Sequence, residues 1–293
     1  MTQSPIAQSL ISSKTKTIAI IGDPVEHSIT PRIQNAALRE IGADIVNIAF
    51  RVRPENLRVA VYGARALGML GLMVTIPHKE AVLELCDELD ESAKLMGAAN
   101  LLHFAPNKTI GYSSDGWAAL KSLEEEGVAF KEARITILGG GGAARSLALT
   151  FTRAGAARIA ILNRTIARAQ TIASEVQTLG VESVAGPLNE NSLYEIMSQT
   201  DILVNATSIG MHPGENETPL DQKFLHPGLA VYDIVYNPLE TRLLRETRAR
   251  GGQAVDGLGM LIYTNVRAVE VCAGLNASAV TMRIEALKAL ASR

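Results

Sequence analysis

A lysine just past a short apolar run, an aspartate at the start of a helix-like segment and a cluster of four glycines are the residues here whose type and spacing could do chemistry. The segment Val74-Thr75-Ile76-Pro77-His78-Lys79-Glu80 places a hydroxyl and an amine beyond the end of a strand-like stretch, where open α/β sheets bind ligands. An amine so placed can exchange a proton with an alcohol or ketone oxygen; taken alone, Lys79 reads as a solvated helix-start lysine. Asp115, between Ser114 and Gly116, could hold that amine in line, and taken alone it reads equally as a helix cap.

The glycines carry a second chemistry. Ile135-Thr136-Ile137-Leu138 runs into Gly139-Gly140-Gly141-Gly142-Ala143-Ala144, which fits G-x-G-x-x-A with a strand before it and a helix after it. Such glycines let the backbone turn sharply and approach a pyrophosphate, whose charge meets free amides at the helix N-terminus. An NAD site places an acid about 20 residues further on to hold the ribose hydroxyls. Here the next strand ends at Asn163-Arg164-Thr165, and no acid stands there. Arg164 and Arg168 instead suit the additional 2′-phosphate of NADP, although by themselves they read as a solvated basic helix start. NADP is the expected cofactor.

These groups need rigid elements to hold them. Strands are expected over 17–21, 45–50 and 71–76, and helices from a Thr30 N-cap with Pro31 at the first helical position to Gly42, and over 54–67. Residues 98–104 and 109–112 read as a hairpin turning at Pro106 and Asn107, followed by a helix to about 126. A second series begins with the strand 134–138, passes through the glycines into a helix, and continues with strands at 158–162, 202–205 and 229–233. Strand–helix alternation predicts an α/β chain with two doubly wound domains.

Composition narrows the functions. The chain has 293 residues, 28 Lys+Arg against 30 Asp+Glu and a formal charge of −2, which is not the balance of a nucleic-acid binder. No apolar stretch approaches the ~20 residues of a membrane span, and the polar first 16 residues read as a loose extension. Cytoplasmic residence is the expectation. Cys86 and Cys272 read as buried thiols, no metal-ligand spacing occurs, and Trp117 reads as a packing residue.

With these residues in view, the chain resembles the shikimate dehydrogenase family over nearly its whole length. The matching motifs are Gly22-Asp23-Pro24 with Ser28 and Thr30; Val74-Thr75-Ile76-Pro77 with Lys79; Gly97-Ala98-Ala99-Asn100; Gly111 with Asp115-Gly116; and Asp256-Gly257-Leu258-Gly259-Met260. Between the last two come the glycine loop, Asn163-Arg164-Thr165 and Asn205-Ala206-Thr207-Ser208.

The resemblance implies a substrate domain over 1–116 with a mainly parallel sheet, a Rossmann-like NADP domain over 117–256, and C-terminal helices over 257–293 returning to the first, with the active site in the cleft. It implies interconversion of shikimate and 3-dehydroshikimate, with Lys79 and Asp115 as the catalytic pair. Ser28, Thr30, Thr75, Asn100 and Tyr236 would hold the polyol carboxylate, together with Lys79, Asp115 and Thr264. The cofactor would be held by Gly139, Gly140, Gly141, Gly142, Ala143, Asn163, Arg164, Thr165, Arg168 and Thr207, with Ile234, Gly257 and Met260 on the nicotinamide side. The implied partners are the small-molecule substrate and NADP, with neither nucleic acid nor membrane, in a monomer or homodimer.

The departures surround the substrate. His78 stands where the family usually has Phe, Ser113-Ser114 where it has Asn-Thr, Thr30 where shikimate-specific members have Ser, and Thr264 where it supplies a substrate-binding Gln. Threonine reaches less far than glutamine, and Asn265 or a water would have to compensate. The alternatives are therefore a paralogue acting on quinate or a related cyclohexane carboxylate, since polar groups left unpaired by an analogue redirect specificity, and a catalytically silent NADP-binding sensor. Retention of both Lys79 and Asp115 speaks against the sensor.

Overall fold

The computed structural model describes residues 11–291, so most of the expected N-terminal extension lies outside it. The chain divides into two compact units. One holds the described residues through Ser114 and those from Thr264 onward, and the other runs from Asp115 to Tyr263.

In the first unit the order is β1 (Lys16–Gly22), α1 (Thr30–Glu40), β2 (Ile45–Arg51), α2 (Leu57–Ala66), β3 (Gly71–Val74), β4 (Glu88–Leu89), α3 (Glu91–Met96), β5 (Leu101–Ala105) and β6 (Lys108–Tyr112). Its sheet has the order β2-β1-β3-β5-β6-β4. β1 pairs in parallel with β2 and β3, and β4 with β6, while β5 runs antiparallel to both β3 and β6. The expected hairpin is therefore present as β5 and β6.

The second unit contains α4 (Asp115–Glu125), β7 (Arg134–Leu138), α5 (Gly142–Arg153), β8 (Arg158–Asn163), α6 (Ile166–Thr178), β9 (Glu182–Pro187), α7 (Glu190–Ile196), β10 (Ile202–Asn205), β11 (Ala230–Asp233), α8 (Arg242–Ala249) and β12 (Gln253–Val255). Its six strands lie in the order β12-β11-β10-β7-β8-β9, all parallel, the doubly wound arrangement of dinucleotide-binding domains. Ile135, Ile137, Leu138, Ile202, Leu203 and Val204 are all buried, as expected of parallel strands covered on both faces. α9 (Leu258–Ala273) starts in this unit and ends in the first, followed by α10 (Ala279–Ala291).

The C-terminal segment completes the first core. Ala268 and Cys272 of α9 pack with Ile18, Ile20, Met73 and Leu101 on one face of the first sheet, and α10 lies along α1, where Arg32 and Glu285 pair at 3.4 Å. On the sheet's other face, Leu57, Val61 and Ala64 of α2 cover Ala19, Ile21, Leu72 and Val74.

Three boundaries differ from the periodicity. Thr30 is the first helical residue and not the cap: the Ser28 hydroxyl accepts its amide at 3.3 Å, while Ile29 takes the N-cap position without a side-chain bond. β3 ends at Val74 because the chain turns at once, leaving Ile76 70% exposed. The helix expected over 54–67 opens with a 3₁₀ turn at Pro54–Asn56. Short elements such as α3 carry only local signals, an Asp90 cap accepting from the Ser92 amide at 2.8 Å and Gly97 at φ +59°.

Candidate functional site

The turn after β3 is built from both sides. The Thr75 amide extends the ladder to the Ile21 carbonyl at 3.0 Å, and the His78 amide closes the turn on the Thr75 carbonyl, also at 3.0 Å. Gly22 is packed so closely here that a Cβ would collide with the Thr75 methyl, and the Asp23 amide donates to the Ile76 carbonyl at 3.0 Å. His78 is 1% exposed and its Nε2 lies 2.7 Å from the Val52 carbonyl. A carbonyl only accepts, so Nε2 carries the hydrogen. The residue that departs from the family's Phe is thus a paired core histidine anchoring the turn that carries Lys79.

Asn100 joins this turn to the end of β6. The Val74 amide donates to the Asn100 carbonyl at 2.8 Å and the Ala99 amide to the Lys79 carbonyl at 2.7 Å. Asn100 Oδ1 accepts the Ser114 amide at 2.8 Å and the Ser114 hydroxyl at 3.1 Å. Ser114, which departs from the usual Thr, keeps the hydroxyl needed for this bond. Hydrogen bonds therefore tie the turn through Thr75 and Lys79 to residues 99–100, and Asn100 in turn to Ser114, at the strand ends. Thr75 and Lys79 are half-buried, and Asn100 is buried.

Ser28 and Thr30 open α1. One turn on, Gln34 is fully buried. Its Oε1 accepts Asn47 Nδ2 at 2.7 Å, and its Nε2 donates to the Asn265 carbonyl at 3.2 Å and lies 3.2 Å from Met73 Sδ. Asn35 holds the Asn47 backbone through both its amide and its carbonyl, at 2.7 and 2.9 Å. This amide cluster ties α1, which carries Thr30, to the segment of α9 that carries the buried Thr264. Sequence reasoning missed Gln34. Its signal was a polar residue on the buried face of α1, in register with Ile33, Ala37 and Leu38.

In the second unit the glycine loop is backed by two neighbouring strand ends. Gly139 has φ +122°, a conformation that favours glycine, and a Cβ there would stand 2.8 Å from the Ala206 carbonyl. Gly140 lies against Asn163 and Arg168, with a Cβ meeting Asn163 Nδ2 at 2.6 Å. Gly141 caps α5, and Gly141, Gly142 and Ala143 are exposed at its start, where the first amides have no intrahelical carbonyl. Asn163 Nδ2 donates to the Thr165 carbonyl at 2.9 Å, fixing the turn that presents Arg164.

Arg164 and Arg168 are exposed and, among the described residues, carry no ion pair, whereas Arg134, Arg145 and Arg158 of the same unit are paired with Asp201, Glu175 and Glu182. A loop packed too closely on Ala206 and Asn163 for side chains at Gly139 and Gly140, open space at Gly141 and Gly142, helix-start amides beside it and two exposed guanidiniums fit a dinucleotide with an additional phosphate.

Asp115 is the first residue of α4, half-buried; Tyr236, also half-buried, follows β11. Ser28, Thr30, Thr75, Lys79, Asn100 and Thr264 belong to the first unit. Asp115, Tyr236 and the expected cofactor residues Thr207, Ile234, Gly257 and Met260 belong to the second. Trp117 meets Tyr263 edge-on at 6.2 Å. Among the described residues no cluster of His, Cys, Asp or Glu could hold a metal ion, and no helix is long and apolar enough to cross a membrane.

One carboxylate in this unit is unusual. Asp233 ends β11 with no solvent exposure, and burial pushes its carboxyl up to about 6, against the opposing hydrogen bonds of Thr241, the Val235 amide and Asn205. In the sequence it read only as the end of a strand.

Comparison with known proteins points to one family. The family model described as shikimate dehydrogenase substrate binding domain matches residues 20–102, and that of shikimate / quinate 5-dehydrogenase matches residues 120–216. A shikimate dehydrogenase (NADP(+)) of Methanopyrus kandleri is 44% identical over 96% of this chain and 98% of its own. A solved shikimate dehydrogenase in complex with NADP+ is 38% identical with TM-score 0.88, covering 96% of this chain and 98% of that one. The shikimate 5-dehydrogenase of Listeria monocytogenes, solved with shikimate and NAD, is 30% identical with TM-score 0.90, covering 94% of this chain and 97% of that one.

Proposed function

Since the chain belongs to the shikimate dehydrogenase family, we propose that it interconverts shikimate and 3-dehydroshikimate with NADP as the hydride partner. The observation that carries this reading is the chain of hydrogen bonds from the Val74–Lys79 turn through Ala99 and Asn100 to Ser114, which fixes the amine-bearing turn and the residue just before Asp115 by bonds of 2.7 to 3.1 Å.

When bound, NADP supplies the hydride chemistry. Lys79 takes the proton of the alcohol oxygen as it becomes a ketone and returns it in the reverse direction. Asp115 orients the ammonium. Ser28 and Thr30 offer hydroxyls to the substrate carboxylate, and Thr75, Asn100 and Tyr236 hold the ring hydroxyls. Gly139 to Ala143 receive the pyrophosphate, Asn163, Arg164, Thr165 and Arg168 the adenosine phosphate end, and Thr207, Ile234, Gly257 and Met260 the nicotinamide end. The first unit then supplies most of the substrate contacts, and the second supplies the cofactor site together with Asp115 and Tyr236. Cytoplasmic residence goes with this reading.

Thr264 favours a second reading of the substrate. It is a short, 8% exposed side chain where the family supplies Gln, and with Thr30 it suits quinate or another polyhydroxylated cyclohexane carboxylate. Initial rates with shikimate and quinate, each with NADP+ and NAD+, test both readings. The first requires kcat/KM highest for shikimate with NADP+; a preference for quinate establishes the second, and turnover of neither rejects both.

A further inference from the structure

β10 and β11 are neighbours whose register sets Asn205 opposite Asp233, and neither side chain reaches solvent. Asp233 Oδ1 accepts from Asn205 Nδ2 at 2.9 Å and from the Val235 amide at 3.1 Å, while Oδ2 accepts the Thr241 hydroxyl at 2.7 Å. Asn205 Oδ1 in turn accepts the Thr207 amide at 3.1 Å and the Thr207 hydroxyl at 2.7 Å, and its Nδ2 also reaches the Ile209 carbonyl at 3.2 Å. The Ile209 amide closes the loop on Thr207 Oγ1 at 3.1 Å.

Two side chains thus hold both loops that leave this edge of the sheet. The loop after β10 carries Thr207, and its Ala206 carbonyl backs Gly139 of the glycine loop. The loop after β11 carries Ile234 and Tyr236 and reaches Thr241, whose hydroxyl also caps α8 by accepting the Leu244 amide at 3.3 Å. Gly257 packs on the same strand end so closely that a Cβ would run into the Ile234 carbonyl. Four segments assigned to the dinucleotide therefore meet around one junction, and its carboxylate is desolvated at a cost that packing alone does not require.

We propose that Asp233 is a positioning residue for hydride transfer: without touching substrate or dinucleotide, it holds Thr207 and Ile234 at the nicotinamide end through Asn205, Val235 and Thr241. This rests on the reading of the chain as an NADP-dependent dehydrogenase. The junction needs an acceptor for two N–H groups and a hydrogen-bond partner for the Thr241 hydroxyl, and no charge. In Asp233→Asn the amide oxygen can keep both N–H donors, and its NH2 can donate to Thr241 Oγ1. Asp233→Ala leaves three donors without an acceptor.

The test measures NADPH affinity by nucleotide fluorescence, KM for NADP+ and for shikimate, kcat, and the melting temperature, for wild type, Asp233→Ala, Asp233→Asn and Thr241→Val. The expected result is a 10-fold or greater rise in KM for NADP+ and in the NADPH Kd for Asp233→Ala, with KM for shikimate within twofold. Thr241→Val falls between it and wild type, and Asp233→Asn returns the constants to within threefold. A folded Asp233→Ala that loses kcat with its folded fraction and keeps its NADP+ KM overturns the proposal. If Asp233→Ala does not fold, Thr241→Val decides, and an NADP+ KM within twofold of wild type is the overturning result. A wild type that neither binds NADPH nor oxidises either polyol defeats the functional reading itself, which separates the two failures.

Discussion

The Gln34 side-chain amide donates to the Asn265 main-chain carbonyl across 3.2 Å, joining residues 231 positions apart in the chain. Both residues are fully buried, so the bond belongs to the same core that Ala268 and Cys272 complete. It explains why a C-terminal segment that follows the cofactor unit in sequence is part of the first unit in space.

Gln34→Leu keeps the apolar contacts, strands Asn47 Nδ2 and removes the bond to the Asn265 carbonyl that joins α1 to α9. Each buried group left unpaired costs about 1–3 kcal/mol, so urea unfolding is expected to show a loss of at least about 1 kcal/mol. Because the cluster ties Thr30 to Thr264, KM for shikimate should rise while KM for NADP+ stays within twofold. Unchanged stability and unchanged KM would show that the amide cluster holds nothing.

Asn100→Ala removes the acceptor for both the amide and the hydroxyl of Ser114. The chain entering Asp115 loses its anchor, and with it goes a group proposed to hold a ring hydroxyl of the substrate. Shikimate kcat/KM is expected to fall about 10-fold or more, the scale of one to two hydrogen bonds, with NADPH affinity retained. Equal losses for the substrate and the cofactor in initial-rate kinetics would point instead to general unfolding.

Among the described residues, Arg164 and Arg168 carry no ion pair to compete for them. Charge-assisted bonds are worth about 1.5–3 kcal/mol each. Replacing both by Gln should therefore raise KM for NADP+ about 10-fold or more while leaving kcat/KM with NAD+ little changed, so the NADP+/NAD+ preference collapses. An unaltered preference in the double variant would place the 2′-phosphate elsewhere.

Asp233 also gives a pH dependence with a definite sign. Its carboxyl is raised from 3.8 to about 6 by burial, with no charged group acting on it; its neighbours are Asn205, Thr241 and the Val235 amide. Between these two values the folded chain binds the proton that the unfolded chain has lost, so this group's contribution falls as pH rises through the window and is level above it. The shift corresponds to about 3 kcal/mol. Asp233→Asn lacks this linkage, so its unfolding free energy relative to wild type should grow by about 2 kcal/mol between pH 4 and pH 6.5. Parallel stability profiles would place the Asp233 pKa near its ordinary value.

Much of this was legible in the sequence. The strand 134–138, the glycine loop and the helix after it declare themselves because a parallel strand buried on both faces is a continuous apolar run ended by glycine, and β7 ends where that run does. The matching motifs likewise locate the turn that carries Lys79. The Gln34 cluster and the Asn205–Asp233 junction were not legible, since each polar residue finds its partner across the sheet or across the chain, and local periodicity is silent about such partners. His78 shows the same limit: the sequence marks it as a departure, while its pairing with the Val52 carbonyl, which makes it a core residue, is visible only in three dimensions.

The central claim is that Lys79 and Asp115 run the proton transfer of an NADP-dependent shikimate oxidation. The most direct measurement is the turnover of Lys79→Ala and Asp115→Ala with saturating shikimate and NADP+, alongside NADPH binding to each variant. A fall in kcat of roughly 10²-fold or more is expected in both, with NADPH affinity close to wild type. Near-normal turnover in both variants would contradict it.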